Sequence, residues 1–435
     1  MRMSKQDKKG LVPERRFPEF RNKGGWQVSK LKHLARCTNQ RNVESGKTRV
    51  LTNSAEHGVV DQRDYFDKDI ANQSNLEGYY IVEEGDYVYN PRVSILAPVG
   101  PISKNKIGTG VMSPLYTVFR FDNSNNEFFE HYFKTTKWHT YMRFVSNSGA
   151  RHDRMAITAD NFIDMPLPTP SSEEQQKIAD CLTSLDELIT AQTQKLDVLK
   201  AHKKGLMQHL FPSKGETVPN LRFPEFRNKG EWECEENTLD NVCSSISSGR
   251  DKSDLNGAYD LYGSTGIIGK TSSGSYDGNF ILVARVGANA GLLTRAKGKF
   301  GVTDNTLALV LKKPEDLDFI YYSLERFGPN KMVFGSGQPL ITSGQLKSLD
   351  MCLPQPEEQQ KIADCLSSFD TLIMAQTQKL DALKAHKKGL MQQLFPVMMR
   401  LTHEQRPRDI CRPQRRRHSP AQKARREEIY PAIRL

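Results

Sequence analysis

The sequence predicts an α/β (α+β) protein: two mixed units separated by two long helices that pack as an antiparallel coiled coil, duplicated with pseudo-two-fold symmetry. Three observations predict it. Residues 173–212 and 357–396 differ at only six of forty positions. Both stretches carry apolar residues at alternating steps of four and three, which is a heptad seam. The long stretches that precede each of them are unlike each other, and they read as short β-like runs separated by Gly- or Pro-rich turns with helical patches.

In chain order, residues 1–26 form an N-terminal segment that ends in VPERRFPEFRNKGGW at 12–26. The charged start, MRMSKQDKKG, lacks an apolar core and does not read as a secretory signal. A first mixed unit covers 27–170, with β-like runs at 79–82, 87–89 and 115–121 and a helical stretch at 128–144. The central helix, 171–212, follows. Its seam is Ile178, Leu182, Leu185, Ile189, Leu196, Leu199, Leu206 and Leu210, with Gln192 and Lys203 in two polar slots. Ser171 and Glu174 have the spacing of a capping box, and the acidic start and basic end suit the helix dipole.

Residues 213–232 are a linker that repeats the earlier segment as VPNLRFPEFRNKGEW at 218–232, matching it at twelve of fifteen positions. A second mixed unit covers 233–355, with strands expected at 280–285 and 306–311 and a helix at 316–327. The distal helix, 356–396, repeats the seam at Ile362, Leu366, Phe369, Ile373, Leu380, Leu383, Leu390 and Leu394, with Gln376 and Lys387 in the polar slots. A one-sided helix on the order of 60 Å long does not stand alone. It binds another chain or its own copy, and the matched pair within one chain favours the second. The remaining residues, 397–435, are a basic tail expected to be disordered. Such a tail either binds nucleic acid without specificity or is fusion or out-of-frame sequence with no selected role.

The net charge is +11, but 397–435 hold eleven Arg and Lys against four Asp and Glu, so the other 396 residues carry only +4. Where the charges sit therefore matters more than their sum. No apolar run is long enough to span a membrane. Seven scattered cysteines without a C-x-x-C pair read as reduced thiols of a cytosolic protein, with no zinc site. Cys181 and Cys365 lie beside the seam and read as packing residues.

No catalytic constellation emerges. GSTGIIGKT at 263–271 ends like a phosphate-binding loop, but Ser264 stands where the first glycine is required, so a turn between strands is the better reading. Gly287 and Gly291 mark a turn or a close backbone approach. Tyr89-Asn90-Pro91-Arg92 only loosely resembles the Asn-Pro-Pro-aromatic motif of amino-methyltransferases. What does stand out is Arg and Lys beside Gly, Ser and Asn in the loops of both units. These are Arg92, Lys104, Lys106, Arg151 and Arg154 in the first, and Arg250, Lys252, Lys270, Arg285 and Arg295 in the second. Such side chains suit phosphates and guanine edges, although any one of them taken alone is more often a solvated surface charge.

This pattern resembles the specificity (S) subunit of type I restriction–modification systems. The resemblance covers about 12–396. It rests on the twice-written helix with its Glu-Gln-Gln-Lys-Ile-Ala start, on YGSTGIIG at 262–269 and ARVGANAG at 284–291, and on GDYVYNP at 85–91 and GVMSPLYTVF at 110–119. It implies that 27–170 and 233–355 are target-recognition domains, each reading half of a bipartite double-stranded DNA site. The helices would set the gap between half-sites and dock two modification (methyltransferase) subunits, with restriction/translocase subunits added. S-adenosylmethionine, ATP and Mg would be held by those partners and no cofactor by this chain, which would be non-catalytic and cytoplasmic. Two other classes stay open: a coiled-coil scaffold without DNA specificity, and a self-sufficient DNA methyltransferase or nuclease.

Overall fold

The computed structural model describes residues 11–43, 46–65, 76–146, 153–235, 237–313, 317–333 and 339–397. The tail, with the disorder expected of it, lies outside the described residues. The chain divides into two compact units, Met1–Thr183 with Lys387–Leu435, and Ser184–His386. Among the described residues no helix is long and apolar enough to cross a membrane.

The first unit is built from small antiparallel sheets. β1 (Gln27–Lys30) pairs with β10 (Pro166–Thr169), β3 (Leu51–Ser54) with β4 (Gly58–Asp61), and β5 (Tyr80–Val82) with β8 (Gly110–Met112). β2 (Ala35–Cys37), β9 (Thr117–Phe121), β6 (Tyr87–Tyr89) and β7 (Ile102–Lys104) make a four-stranded sheet in that order. Its strands alternate in the way period two requires. Val88 and Val118 face a small core with Leu51, Val59, Val82 and Met112, while Tyr87, Tyr89, Phe119 and Phe121 face the main one.

That main core is aromatic, because α2 (Glu127–Phe133) buries six of its seven residues. Phe121 stacks on Phe129 at 4.5 Å, and Tyr87 meets Phe133 edge-on. The single helix expected at 128–144 is in fact two, α2 and α3 (His139–Val145). Thr135 ends the first: its hydroxyl donates to the Tyr132 carbonyl and accepts from the Lys137 amide, a local alternative to helix continuation. Trp138 fills the break, fully buried, with its indole N–H on the Phe133 carbonyl.

The second unit has one six-stranded sheet. Its order is β11 (Cys243–Ser248), β16 (Thr306–Leu311), β14 (Tyr276–Ala284), β15 (Leu293–Val302), β12 (Tyr259–Gly263) and β13 (Gly266–Thr271). All pairs are antiparallel except β12 with β15. Ile281, Val283, Leu307 and Leu309 pack on α7 (Leu317–Phe327), and the alternate residues Phe280, Leu282, Ala296 and Ala308 build a separate core on the other face. The Gly-Lys-Thr of 269–271 lies on β13 rather than at a helix start, so the phosphate-loop geometry is not formed.

One expectation about the cysteines is overturned. Cys234 and Cys352 are disulfide-bonded, with Cα atoms 4.1 Å apart. Their neighbours Glu233 and Leu353 exchange both backbone hydrogen bonds, which sets the two cysteines opposite each other across the two ends of the second variable stretch. A separation of 118 residues hides this pairing from sequence spacing. Cys37, Cys181, Cys243 and Cys365 are free.

The two long helices are α5 (Ser172–His209) and α9 (Pro356–Leu394). Within the second unit they run antiparallel: Gln192 meets Gln376, while further along α5 His202 packs on Phe369, further back along α9. Leu196 and Leu380 are both buried, whereas Leu185, Ile189, Leu199, Phe369, Ile373 and Leu383 are half-buried, as expected of a seam covered by one partner helix. Leu206, Leu210, Ile362 and Leu366 belong to the main core of this unit, which takes in the C-terminal end of α5 and the N-terminal end of α9. In the first unit, Ile178 and Leu182 share a core with Leu390 and Leu394, the same antiparallel sense.

The polar slots have partners. Gln192 hydrogen-bonds Gln376, and Lys203, 8% exposed, pairs with Asp370 at 2.7 Å and with Glu325 of α7 at 2.9 Å. Buried polar pairs of this kind fix helix register.

Candidate nucleic-acid interface

The contacts of the frame that presents the loops occur twice. In the first unit Arg16 makes two parallel hydrogen bonds to Glu174 (2.7 and 2.6 Å) and further ones to the Lys23 and Gly24 carbonyls. In the second, Arg222 does the same with Glu358 (2.7 and 2.7 Å) and the Gly230 carbonyl. Both pairs are almost fully buried, with side chains 7% and 1% exposed in each. The neighbouring motif residues repeat as well. Gln175 and Gln359 each donate to a proline carbonyl at 2.9 Å, from Pro170 and Pro354. Lys177 pairs with Glu19 and Lys361 with Glu225.

This corrects the helix start. Ser171 accepts from the Glu174 amide, but the Glu174 carboxylate is turned to Arg16, so only half of the capping box forms. The role of Arg16 and Arg222 was not singled out from sequence. The signal was there, since each sits at the same place in the repeated segment and each has a Glu at the same place in the repeated helix.

The candidate basic residues then sort by their partners. Four are engaged within the chain. Lys104 pairs with Glu127 at 2.8 Å, and Lys106 with Glu130 at 2.8 Å. Glu130 also holds Lys134. Burial works to raise the Glu130 carboxyl, but the charge of Lys134 and the hydrogen bonds from both lysines outweigh it and hold it at about 2. Lys270 pairs with Asp260 across the β12–β13 hairpin. Arg295 bridges Asp318 and Asp370 and lies 4.3 Å over the Tyr321 ring, fastening β15 to α7 and α9.

Arg92, Arg250, Lys252 and Arg285 have no ion pair among the described residues, and Arg154 has only its chain neighbour Asp153, at 3.8 Å. Arg151 lies outside the described residues.

In the first unit Arg92 and Arg154 face each other across an isolated antiparallel bridge, bracketed by hydrogen bonds from Val93 to Asp153 and from Met155 to Pro91. Of these two arginines, Arg154 has Asp153 beside it at 3.8 Å, whereas Arg92 has no ion-pair partner among the described residues. They line a cleft of about 780 Å³ with Asn53, Asn90, Tyr65 and Tyr116, beside an exposed loop carrying Ile95 and Leu96.

In the second unit Asp251 pins the loop after β11. Its amide and one carboxylate oxygen bond Val302, and the other oxygen accepts from Ser275. That leaves Arg250 and Lys252, on either side of it, exposed. Gly287 and Gly291 both adopt positive φ (81° and 92°), and a Cβ on Gly291 would stand 2.3 Å from the Asn330 amide, so Gly291 is a close-approach glycine.

Among the described residues no three His, Cys, Asp or Glu side chains could hold a metal ion. A frame written twice and carrying two different basic-looped units defines a duplicated binding scaffold.

Comparison with known proteins places it. The chain belongs to the family described as type I restriction modification DNA specificity domain, which matches residues 23–201 and again 207–385. It is 32% identical over 114 residues to the type I restriction enzyme EcoprrI specificity subunit of Escherichia coli, covering 26% of this chain and 28% of that one. It is 25% identical over 269 residues to the putative MjaX specificity subunit of Methanocaldococcus jannaschii, covering 57% and 63%. The chain thus spans less than two thirds of these relatives' lengths. The fold is similar to that of a type I restriction–modification S subunit from M. genitalium, with a TM-score of 0.59 at 14% identity over 89% of this chain and all of that one. A second chain, from a structure of the type I R-M system, has a TM-score of 0.51 at 17% identity, covering 86% and 98%.

Proposed function

We propose that this chain is the DNA-reading subunit of a type I restriction–modification complex, with each variable unit recognising one half of a bipartite double-stranded target. The observation that carries this reading is the repeated Arg–Glu lock, which holds two unlike units on the same frame and leaves in the loops of each basic side chains that no carboxylate from another segment pairs with among the described residues. Arg92 and Arg154 serve the first unit, and Arg250, Lys252 and Arg285 the second. The paired helices set the gap between half-sites and dock two modification subunits, and restriction/translocase subunits complete the complex in the cytoplasm. The chain itself is non-catalytic: S-adenosylmethionine, ATP and Mg belong to the partners. Methylation-site sequencing in cells expressing the chain with its modification subunit tests this. A single split motif separated by a fixed gap is expected. A continuous motif, or methylation by the isolated chain, would overturn the reading.

A further inference from the structure

Arg285 differs from the other unpaired cations. It follows β14 directly, and its backbone is held on both sides: its amide donates to the Asn305 carbonyl at 2.9 Å and its carbonyl accepts from Ile341 at 2.9 Å. Its side chain is half-buried, and the Nε is enclosed yet has no hydrogen-bond acceptor among the described residues. Two residues of the adjoining turn share this condition, the hydroxyls of Thr303 and Thr306, both enclosed and unpartnered. The Ala284–Thr306 register and the Arg285–Asn305 hydrogen bond put the three residues at one end of the sheet. Buried polar groups are nearly always satisfied, so these orphans mark this end of the sheet as exceptional; the enclosed atoms themselves are out of a base's reach, and it is the part of the half-buried Arg285 guanidinium left open to solvent that can meet one. An arginine needs an acceptor, and its fork matches two acceptors side by side.

We propose that Arg285 is the residue of the second unit that reads a guanine, through the paired acceptors on the major-groove edge of that base, while exposed Arg250 and Lys252 hold phosphates. The inference rests on the DNA-reading function proposed above. A phosphate contact asks only for charge and tolerates a mobile side chain. A base contact asks for a donor pair fixed in direction, which the anchored backbone and half-buried side chain of Arg285 supply and the exposed side chains of Arg250 and Lys252, on their pinned loop, do not.

The test uses the full chain assembled with its modification subunits and a randomised DNA duplex library, with the bound fraction sequenced. The wild-type complex should select a split motif; if it selects none, the DNA-reading function itself fails. Against that motif, Arg285→Lys and Arg285→Ala should each lose preference at one G·C pair in one half-site by roughly 5- to 150-fold, with the other half unchanged. Arg285→Lys keeps the charge, so its affinity for unrelated duplex and its salt dependence should stay at the wild-type level. Lys252→Ala should do the reverse, keeping the motif and lowering the salt slope by about one. The proposal is overturned if Arg285→Lys leaves the motif intact, or if Arg285→Ala weakens all sequences equally. Circular dichroism melts of both variants separate loss of reading from loss of fold.

Discussion

The frame and the units it carries follow different rules. In the frame the two halves repeat bond for bond: Arg16 on Glu174 and Arg222 on Glu358, Gln175 on Pro170 and Gln359 on Pro354, Lys177 on Glu19 and Lys361 on Glu225. In the carried units almost nothing repeats. One has a four-stranded sheet, three two-stranded pairs and an aromatic core, the other a single six-stranded sheet. These locks use side chains of the repeated segment and the repeated helix only. A unit can therefore change inside its flanks without disturbing what holds it, and that separation is what a reader of interchangeable targets requires.

The largest expected effect is in the helix pair, which both units share in sequence. Leu196→Asp or Leu380→Asp puts a charge into a buried seam position and should cost about 3–5 kcal/mol by chemical denaturation. Leu188→Asp, at an exposed position of α5, should cost less than about 0.5 kcal/mol.

Next come the locks. Glu174→Leu and Glu358→Leu each leave a buried guanidinium unpaired and should each destabilise by about 3 kcal/mol, and equally, because the two sites match in geometry. The double variants Arg16→Met/Glu174→Leu and Arg222→Met/Glu358→Leu should recover most of that loss. A clearly unequal cost in the two units would break the equivalence of the frame.

Acid should separate the units. His139 in the first is pushed down to about 4, by burial first and then by Arg143. The unfolded chain takes up that proton near the ordinary value of 6.5 and the folded chain does not. Stability is therefore full above about 6.5 and falls as the pH drops toward 4, by on the order of 2 kcal/mol after allowing for partial exposure. Glu130 acts at lower pH. Its depressed carboxyl stabilises above the ordinary value of 4.5, and that contribution is lost as the pH falls to about 2. Hydrogen exchange between pH 6.5 and 4.5 should show the first unit loosening, and His139→Phe should flatten the response.

The smallest effect concerns register. Replacing Gln192 and Gln376 together by Leu should be neutral or stabilising by about 1 kcal/mol, yet loosen the alignment of the helices, visible as broadened cysteine cross-linking between introduced pairs along the seam.

Much of the frame was legible in the sequence because it is local and periodic. A heptad seam announces itself in steps of four and three, and a repeat announces itself by being written twice. The contacts that close the frame were less legible. The partner of Glu174 is 158 residues away, and the Cys234–Cys352 bond spans 118. The break at Thr135 depended on a hydroxyl taking backbone bonds and on Trp138 filling the gap, neither of which has a period. Among the candidate cations, residue type alone did not separate Arg295, spent on Asp318 and Asp370, from Arg285, whose Nε has no acceptor among the described residues. That distinction is made by neighbours brought in from elsewhere in the chain.

The central claim is that two independent readers sit on one frame. Exchanging residues 27–170 for the corresponding stretch of a relative, with both long helices unchanged, tests it most directly. Methylated-site sequencing of the assembled complex should then show one half of the bipartite motif replaced and the other half and the gap retained. Alteration of both halves would contradict the account.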